Sequence, residues 1–196
     1  MAAWERRQCR GDIPLAPEVW ETQYRQGLWR CLSGLDELAR YGVIAGYLRA
    51  LKPSGAILDI GCGEGLLAGS AAGYSRYVGI DVSEAALARA RQRYRERCSF
   101  SQADARAYVP GDRFDAVIFN EVLYYFDDPL AVVSRYERWL RADGVIIASL
   151  YQHSRRAAAI AKRLKARYRS LATVEIRAGA KSWSVSVLAP ESKPEA

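Results

Sequence analysis

The sequence predicts an α/β fold: seven strands in one mostly parallel sheet, the last strand antiparallel, with helices on both faces. Three observations predict it. Short apolar runs alternate with stretches of helical spacing from residue 56 onward. The first run, Ala56-Ile57-Leu58-Asp59-Ile60, ends in a turn carrying Gly61, Gly63 and Gly65, after which Leu66-Leu67-Ala68 opens a helix. Such strand–turn–helix units build parallel sheets covered on both faces. The last two runs are separated only by Ala178-Gly179-Ala180-Lys181. That gap is too short for a crossover helix, so these two strands must be antiparallel.

Residues 1–34 form an arm rich in aromatic and basic side chains, broken early by Pro14 and Pro17. Within it, Glu18 to Tyr24 suits one or two helical turns, and Gly27 and Gly34 mark bends. The arm either pads the sheet edge or folds over a ligand pocket as a lid. A helix from Asp36 to about Leu51 places Leu38, Tyr41, Ile44, Ala45 and Leu48 on one face. Lys52-Pro53-Ser54-Gly55 turns the chain into strand 1. A short helix over 65–72 leads to strand 2, Tyr77 to Asp81. Ser83 is an N-cap, and Glu84 suits the first turn of the helix it opens. Strand 3 covers Ser99 to Gln102 and strand 4 Phe114 to Asn120. Asp128 and Pro129 are an N-cap and N1 pair for a helix that turns Leu130, Val133, Tyr136, Trp139 and Leu140 inward. Asp143-Gly144 turns into strand 5, Val145 to Leu150. A basic helix over about 154–168 and strands at 173–177 and 182–188 complete the pattern. Residues 35–189 thus form one domain, and 190–196 a patternless tail expected to be disordered.

The 196 residues suffice for one domain with a full core. No apolar run approaches a membrane span, and Met1 to Arg7 lack the apolar centre of a signal peptide. The expected location is the cytoplasm. Cys9, Cys31, Cys62 and Cys98 have no C-x-x-C pairing, and His153 is the single histidine, so no metal site is expected. The net charge of +7 permits an anionic partner without requiring one.

The stretch Asp59-Ile60-Gly61-Cys62-Gly63-Glu64-Gly65 resembles the first motif of class I S-adenosylmethionine-dependent methyltransferases. Dinucleotide-binding turns read G-x-G-x-x-G, but Leu66 stands in the last glycine's place. In open α/β sheets ligands lie beyond the carboxyl ends of the strands, and Asp59, Asp81, Asp104 and Asn120 all close strands. Any one of them is explained as an N-cap or a loop-solvating group, but four in register point to a site. Asp81 there can accept hydrogen bonds from both ribose hydroxyls, and Asp104 from an adenine amino group.

Residues 56–130 as a whole resemble the consecutive motifs of that family, which implies its Rossmann-like methyltransferase sheet. The resemblance places Gly61, Cys62 and Gly63 against the methionine part of the cofactor, with Asp59 near its amino group. It places Asp81 at the ribose and Asp104 with Ala105 at the adenine, with Val82 among the cofactor contacts; Asn120, closing strand 4, lies close to where the methionine end and the acceptor should meet. Asn120 to Pro129 resembles the strand 4 loop of small methyltransferases, especially the nodulation-type N-methyltransferase group. Trp29 with Arg40-Tyr41 resembles that group's lid helix, and Tyr24 is grouped with the same cofactor contacts.

Methyl transfer requires donor and acceptor held in line, and a hydroxyl or ammonium acceptor also requires a base. His153 follows strand 5, and its ordinary pKa of about 6.5 suits that role; a surface residue capping the next helix is the plain alternative. Glu121 is the second candidate, and Tyr124 and Tyr125 are candidate acceptor contacts, unless they only pack beneath the loop. Arg155, Arg156, Lys162, Arg163, Lys165, Arg167 and Arg169 make a basic helix, read as a solvated face or a docking surface. The loop reads Asn120-Glu121-Val122-Leu123 rather than Asn-Pro-Pro-Tyr, which argues against a nucleic-acid base as acceptor. The expected function is methyl transfer to an O or N of a small molecule, a biosynthetic intermediate or sugar. The alternatives are a cofactor-binding protein without transfer and an RNA enzyme docking through the basic helix. Nothing in the sequence speaks to oligomeric state.

Overall fold

The computed structural model describes residues 16–94, 98–152 and 154–191. The first fifteen residues, with Cys9 and Pro14, lie outside the described residues, as do His153 and the tail from Ser192. Helix α1 (Pro17–Arg25) and a 3-10 turn (Arg30–Ser33) precede α2 (Leu35–Leu51). There follow β1 (Ala56–Ile60), α3 (Leu66–Ser70), β2 (Arg76–Asp81), α4 (Glu84–Tyr94) and β3 (Ser99–Gln102). After β4 (Phe114–Asn120) and a 3-10 turn (Leu123–Tyr125) come α5 (Pro129–Glu137), β5 (Leu140–Tyr151), α6 (Arg155–Arg167), β6 (Arg169–Ala178) and β7 (Lys181–Ala189).

Among the described residues the strands form one sheet in the order β3-β2-β1-β4-β5-β7-β6. The pairs from β3 to β5 are parallel, and β7 runs antiparallel to both β5 and β6. The chain order reverses between β1 and β4, which opens a crevice beyond their carboxyl ends.

Period-two alternation fills both faces. Leu58, Ile60, Val117, Phe119, Ile146 and Ala148 point to one side, where Val133 and Tyr136 of α5 and Ile160 and Leu164 of α6 cover them. Ile57, Ile118, Ile147 and Val185 point to the other, beneath Tyr41, Ile44 and Leu48 of α2 and Leu87 of α4. The two expected caps form: Ala86 N–H donates to Ser83 Oγ and Ala131 N–H to Asp128 Oδ1; α6 is capped by Ser154, whose Oγ accepts from Ala157 N–H.

The structure corrects several sequence expectations. Pro17 does not break the arm; it occupies the first turn of α1, where its fixed φ and missing N–H cost nothing. Leu38 is 50% exposed; the turn of α2 that the pattern gave to leucine instead buries Glu37 and Arg40. Strand β5 begins at Leu140, and a register shift between Phe114 and Ala116 accommodates the extra residues. Strand β6 extends well beyond residues 173–177 because the full length of β7 pairs with it. No helix among the described residues is long and apolar enough to cross a membrane.

Candidate functional site

A cavity of about 480 Å³ opens at the carboxyl ends of β1, β2 and β4. Its floor is the glycine turn. Gly61 N–H and Cys62 N–H both donate to Ile80 O, which folds the turn back toward β2. Gly63 has φ +53°, and a Cβ there would lie 2.6 Å from Tyr24 Oη. The turn therefore requires glycine for its backbone and for the approach of the arm.

Asp81 closes β2, and its carboxylate is fixed by two backbone amides. Gly63 N–H donates to Oδ2 and Ser83 N–H to Oδ1, each at 2.9 Å. Burial pushes its pKa up, and these amides oppose the rise. Asp59 closes β1 and is 1% exposed. Tyr77 Oη donates to its Oδ2 at 2.5 Å, while Oδ1 is buried with no partner. Burial lifts the Asp59 carboxyl to about 7 against the opposing Tyr77 hydrogen bond. Cys62 is held as a neutral thiol, its pKa raised well above the usual range by burial and by Asp59 and Asp81.

A buried polar network lines the far wall. Arg40 is 1% exposed; its Nη2 donates to Glu37 Oε2 at 2.8 Å and its Nη1 to Asn120 Oδ1. Asn120 closes β4 in register with Ser149 of β5, and Ser149 Oγ lies 2.9 Å from Asn120 Oδ1. The same hydroxyl lies 2.7 Å from Glu121 Oε1, and Tyr124 Oη donates to Glu121 Oε2 at 2.8 Å. Burial works against charge on Arg40, but Glu121, Tyr41 and Glu37 outweigh it and hold the pKa up. Burial raises the Glu121 carboxyl, opposed chiefly by Arg40. Glu121 takes φ +61°, a strained conformation for a side-chain-bearing residue that the network around it maintains.

The arm makes the roof. Trp20 stacks on Trp29 at 5.3 Å between centroids and meets Tyr125 edge-on at 4.5 Å. Tyr24 packs 5.9 Å from Trp29. Glu21 ties α1 to the start of α4: its Oε2 accepts from Ser83 Oγ at 2.8 Å and from Ala85 N–H at 3.0 Å.

Of the described site residues named from the sequence, Tyr24, Trp29, Arg40, Gly61, Cys62, Gly63, Asp81, Val82, Asp104, Ala105, Asn120, Glu121, Tyr124 and Tyr125 line this cavity; Asp59 does not, and lies buried at the end of β1, paired with Tyr77. Asp104 stands at the rim, 34% exposed, with its carboxylate against Arg106 at 2.6 Å, which holds its pKa low. His153 lies outside the described residues. Sequence reasoning missed Ser149, which the carboxyl-end rule finds once β5 is paired with β4. It also missed Glu37, Lys181 and Trp183, which carry no motif. Among the described residues no cluster of three His, Cys, Asp or Glu could hold a metal.

Residues 58–148 match the family model of a methyltransferase domain. The chain is 32% identical over 107 residues to nodulation protein S of Sinorhizobium fredii, covering 53% of this chain and 50% of that protein. It is 38% identical over 100 residues to a ubiquinone biosynthesis O-methyltransferase of Thiobacillus denitrificans, covering 47% and 43%. The chain thus spans about half the length of these curated relatives. The solved structure of N-methyltransferase NodS from Bradyrhizobium japonicum with S-adenosyl-L-homocysteine superposes with a TM-score of 0.74 at 19% identity, over 89% of this chain and 98% of that one. At that identity the likeness is one of fold.

Proposed function

We propose that the chain is a class I S-adenosylmethionine-dependent methyltransferase, a reading supported by the methyltransferase-domain match over residues 58–148 and by its relatives, and that it methylates an O or N nucleophile of a small-molecule acceptor, a biosynthetic intermediate or sugar. The observation that carries the reading is the Asp81 carboxylate, fixed by the Gly63 and Ser83 amides at the edge of the cavity. Its remaining lone pairs suit a vicinal diol. The orphaned Asp59 Oδ1 suits an ammonium, since an unpartnered buried acceptor is costly. Arg40, with Nε unpartnered, suits a carboxylate. These groups fit S-adenosylmethionine, with Asp104 and Ala105 at the adenine and Val82 beside the ribose.

When bound, S-adenosylmethionine supplies a methyl group on a positively charged sulfur. The chain's own residues orient and enclose. Tyr24, Trp29 and Trp20 exclude water from above, so residues up to 34 act as a lid on the domain that follows. Tyr124 and Tyr125 face the acceptor. Glu121 and His153 are the candidates to take the acceptor's proton. The names of the relatives include both an O- and an N-methyltransferase, so the acceptor atom rests on experiment.

A second reading, cofactor binding without transfer, is favoured by one observation: both Glu121 oxygens are already engaged, by Ser149 and Tyr124. Titration calorimetry with S-adenosylmethionine, S-adenosylhomocysteine and NAD tests the shared premise. Micromolar binding of the first two alone is expected, and Asp81→Ala should weaken it roughly a hundredfold, the effect of stranding two buried hydrogen bonds. Unchanged affinity in Asp81→Ala overturns the ribose placement. Turnover with an acceptor panel then separates the two readings.

A further inference from the structure

The β6–β7 hairpin reaches the cavity through Trp183 and one cation, Lys181. Lys181 opens β7, which β4 and β5 separate from the strand that leads into the glycine turn. Its Nζ lies 3.0 Å from Glu37 Oε1 and 2.8 Å from Asp36 Oδ2, with the side chain 20% exposed. Glu37 therefore divides its carboxylate. Oε1 goes to Lys181, and Oε2 goes to Arg40 Nη2 at 2.8 Å. The guanidinium contact is one-pronged as a result. Arg40 Nε, buried, has no partner.

This arrangement is not the one Glu37 and Arg40 would choose alone. A carboxylate beside a guanidinium prefers the two-pronged contact through Nε and Nη2, which is stronger and geometrically matched. Lys181 withholds Oε1 from it. Meanwhile Asn120 Oδ1 takes Nη1 from the opposite side. Arg40 is thus clamped from α2, β4 and β7, and one donor stays unspent. Without Lys181, Oε1 is free to swing onto Nε. The pair would close on itself, and the donor and much of the positive field would be lost to the cavity.

We propose that Lys181 is a positioning residue for anion binding: it keeps Arg40 open toward the carboxylate end of the cofactor by occupying half of Glu37. This rests on the reading that Arg40 receives that carboxylate. The hairpin thereby sets cofactor affinity without touching the cofactor.

Calorimetric titration separates the outcomes. The ligands are S-adenosylhomocysteine, which carries the amino-acid carboxylate, and 5′-methylthioadenosine, which lacks it. Lys181→Met should weaken S-adenosylhomocysteine about tenfold, the scale of coupling between neighbours in one ion network, and leave 5′-methylthioadenosine unchanged. Lys181→Arg, which keeps a cation against Oε1, should recover most of the loss. In an Arg40→Met background the Lys181 substitution should add nothing. Equal weakening of both ligands by Lys181→Met, or none of either, overturns the clamp. If Arg40→Met itself leaves S-adenosylhomocysteine affinity unchanged, the placement of the carboxylate fails instead.

Discussion

Asp59 carries the strongest consequence at the scale of one residue. Its carboxyl is lifted from the ordinary value near 3.8 to about 7, first by burial and then by Asp81. A raised carboxyl favours folding while it is protonated. Its contribution is fully present below the unfolded value and is lost as pH rises through about 4 to 7. Asp59→Asn keeps an acceptor for Tyr77 and removes the titration. The thermal midpoint of the ligand-free protein should therefore fall with pH over this window more steeply in the parent than in the variant. Equal slopes would show that the carboxyl is not held up. The motif made Asp59 legible, but the motif says nothing of Tyr77, whose hydroxyl reaches it across the β1–β2 pair.

At the scale of elements, one carboxylate adds a polar latch to the aromatic contacts that hold α1 on the domain. Glu21 accepts from Ser83 Oγ and Ala85 N–H at the start of α4, where free amides favour negative charge. These bonds lower its pKa, with the Ala85 amide first, so the latch holds at neutral pH and weakens as acid protonates it. Glu21→Ala should cost about 1 kcal/mol, the value of a lost helix cap. Amide hydrogen exchange should then quicken roughly fivefold in α1 while β1 and β4 are unaffected. Unchanged exchange in α1 would mean that the aromatic stack alone holds it. Elements with local signals were the legible ones: Ser83 and Asp128 as caps, and β1 to β4 by their apolar runs. The first turn of α2 was not. Leucine spacing favoured Leu38, yet Glu37 and Arg40 are buried because Lys181 and Asn120 supply their partners from distant strands. Spacing along one helix cannot see a counter-charge from another element. The pairing of Asp104 with Arg106 is a different case, since the partner is only two residues away and was open to anticipation.

Across the whole molecule, the sheet behaves as one packed slab whose two faces were readable from alternation. Phe119, fully buried in the central strand, meets Tyr136 of α5 edge-on at 5.9 Å. Phe119→Ala should cost about 3–5 kcal/mol through the cavity it leaves. For a chain of this size that lowers the thermal midpoint by roughly 10 °C, measurable by calorimetry. A shift of a degree or two would mean that α5 collapses into the gap. The strand order was only partly legible. Antiparallel pairing of β6 with β7 follows from their short connection, but nothing local says that β7, rather than β6, joins β5.

That insertion bears on how the chain is made. Strand β7 leaves the ribosome after β6, yet it sits inside the sheet between β5 and β6. Until it emerges, the nascent β5 has an open edge, and Ile146 to Tyr151 display unpaired backbone groups on an apolar strand. Such an edge invites pairing with other chains. The open edge of β5 is therefore covered only by the strand that also delivers Lys181 to the cavity, so protection of the edge and completion of that wall come in the same event.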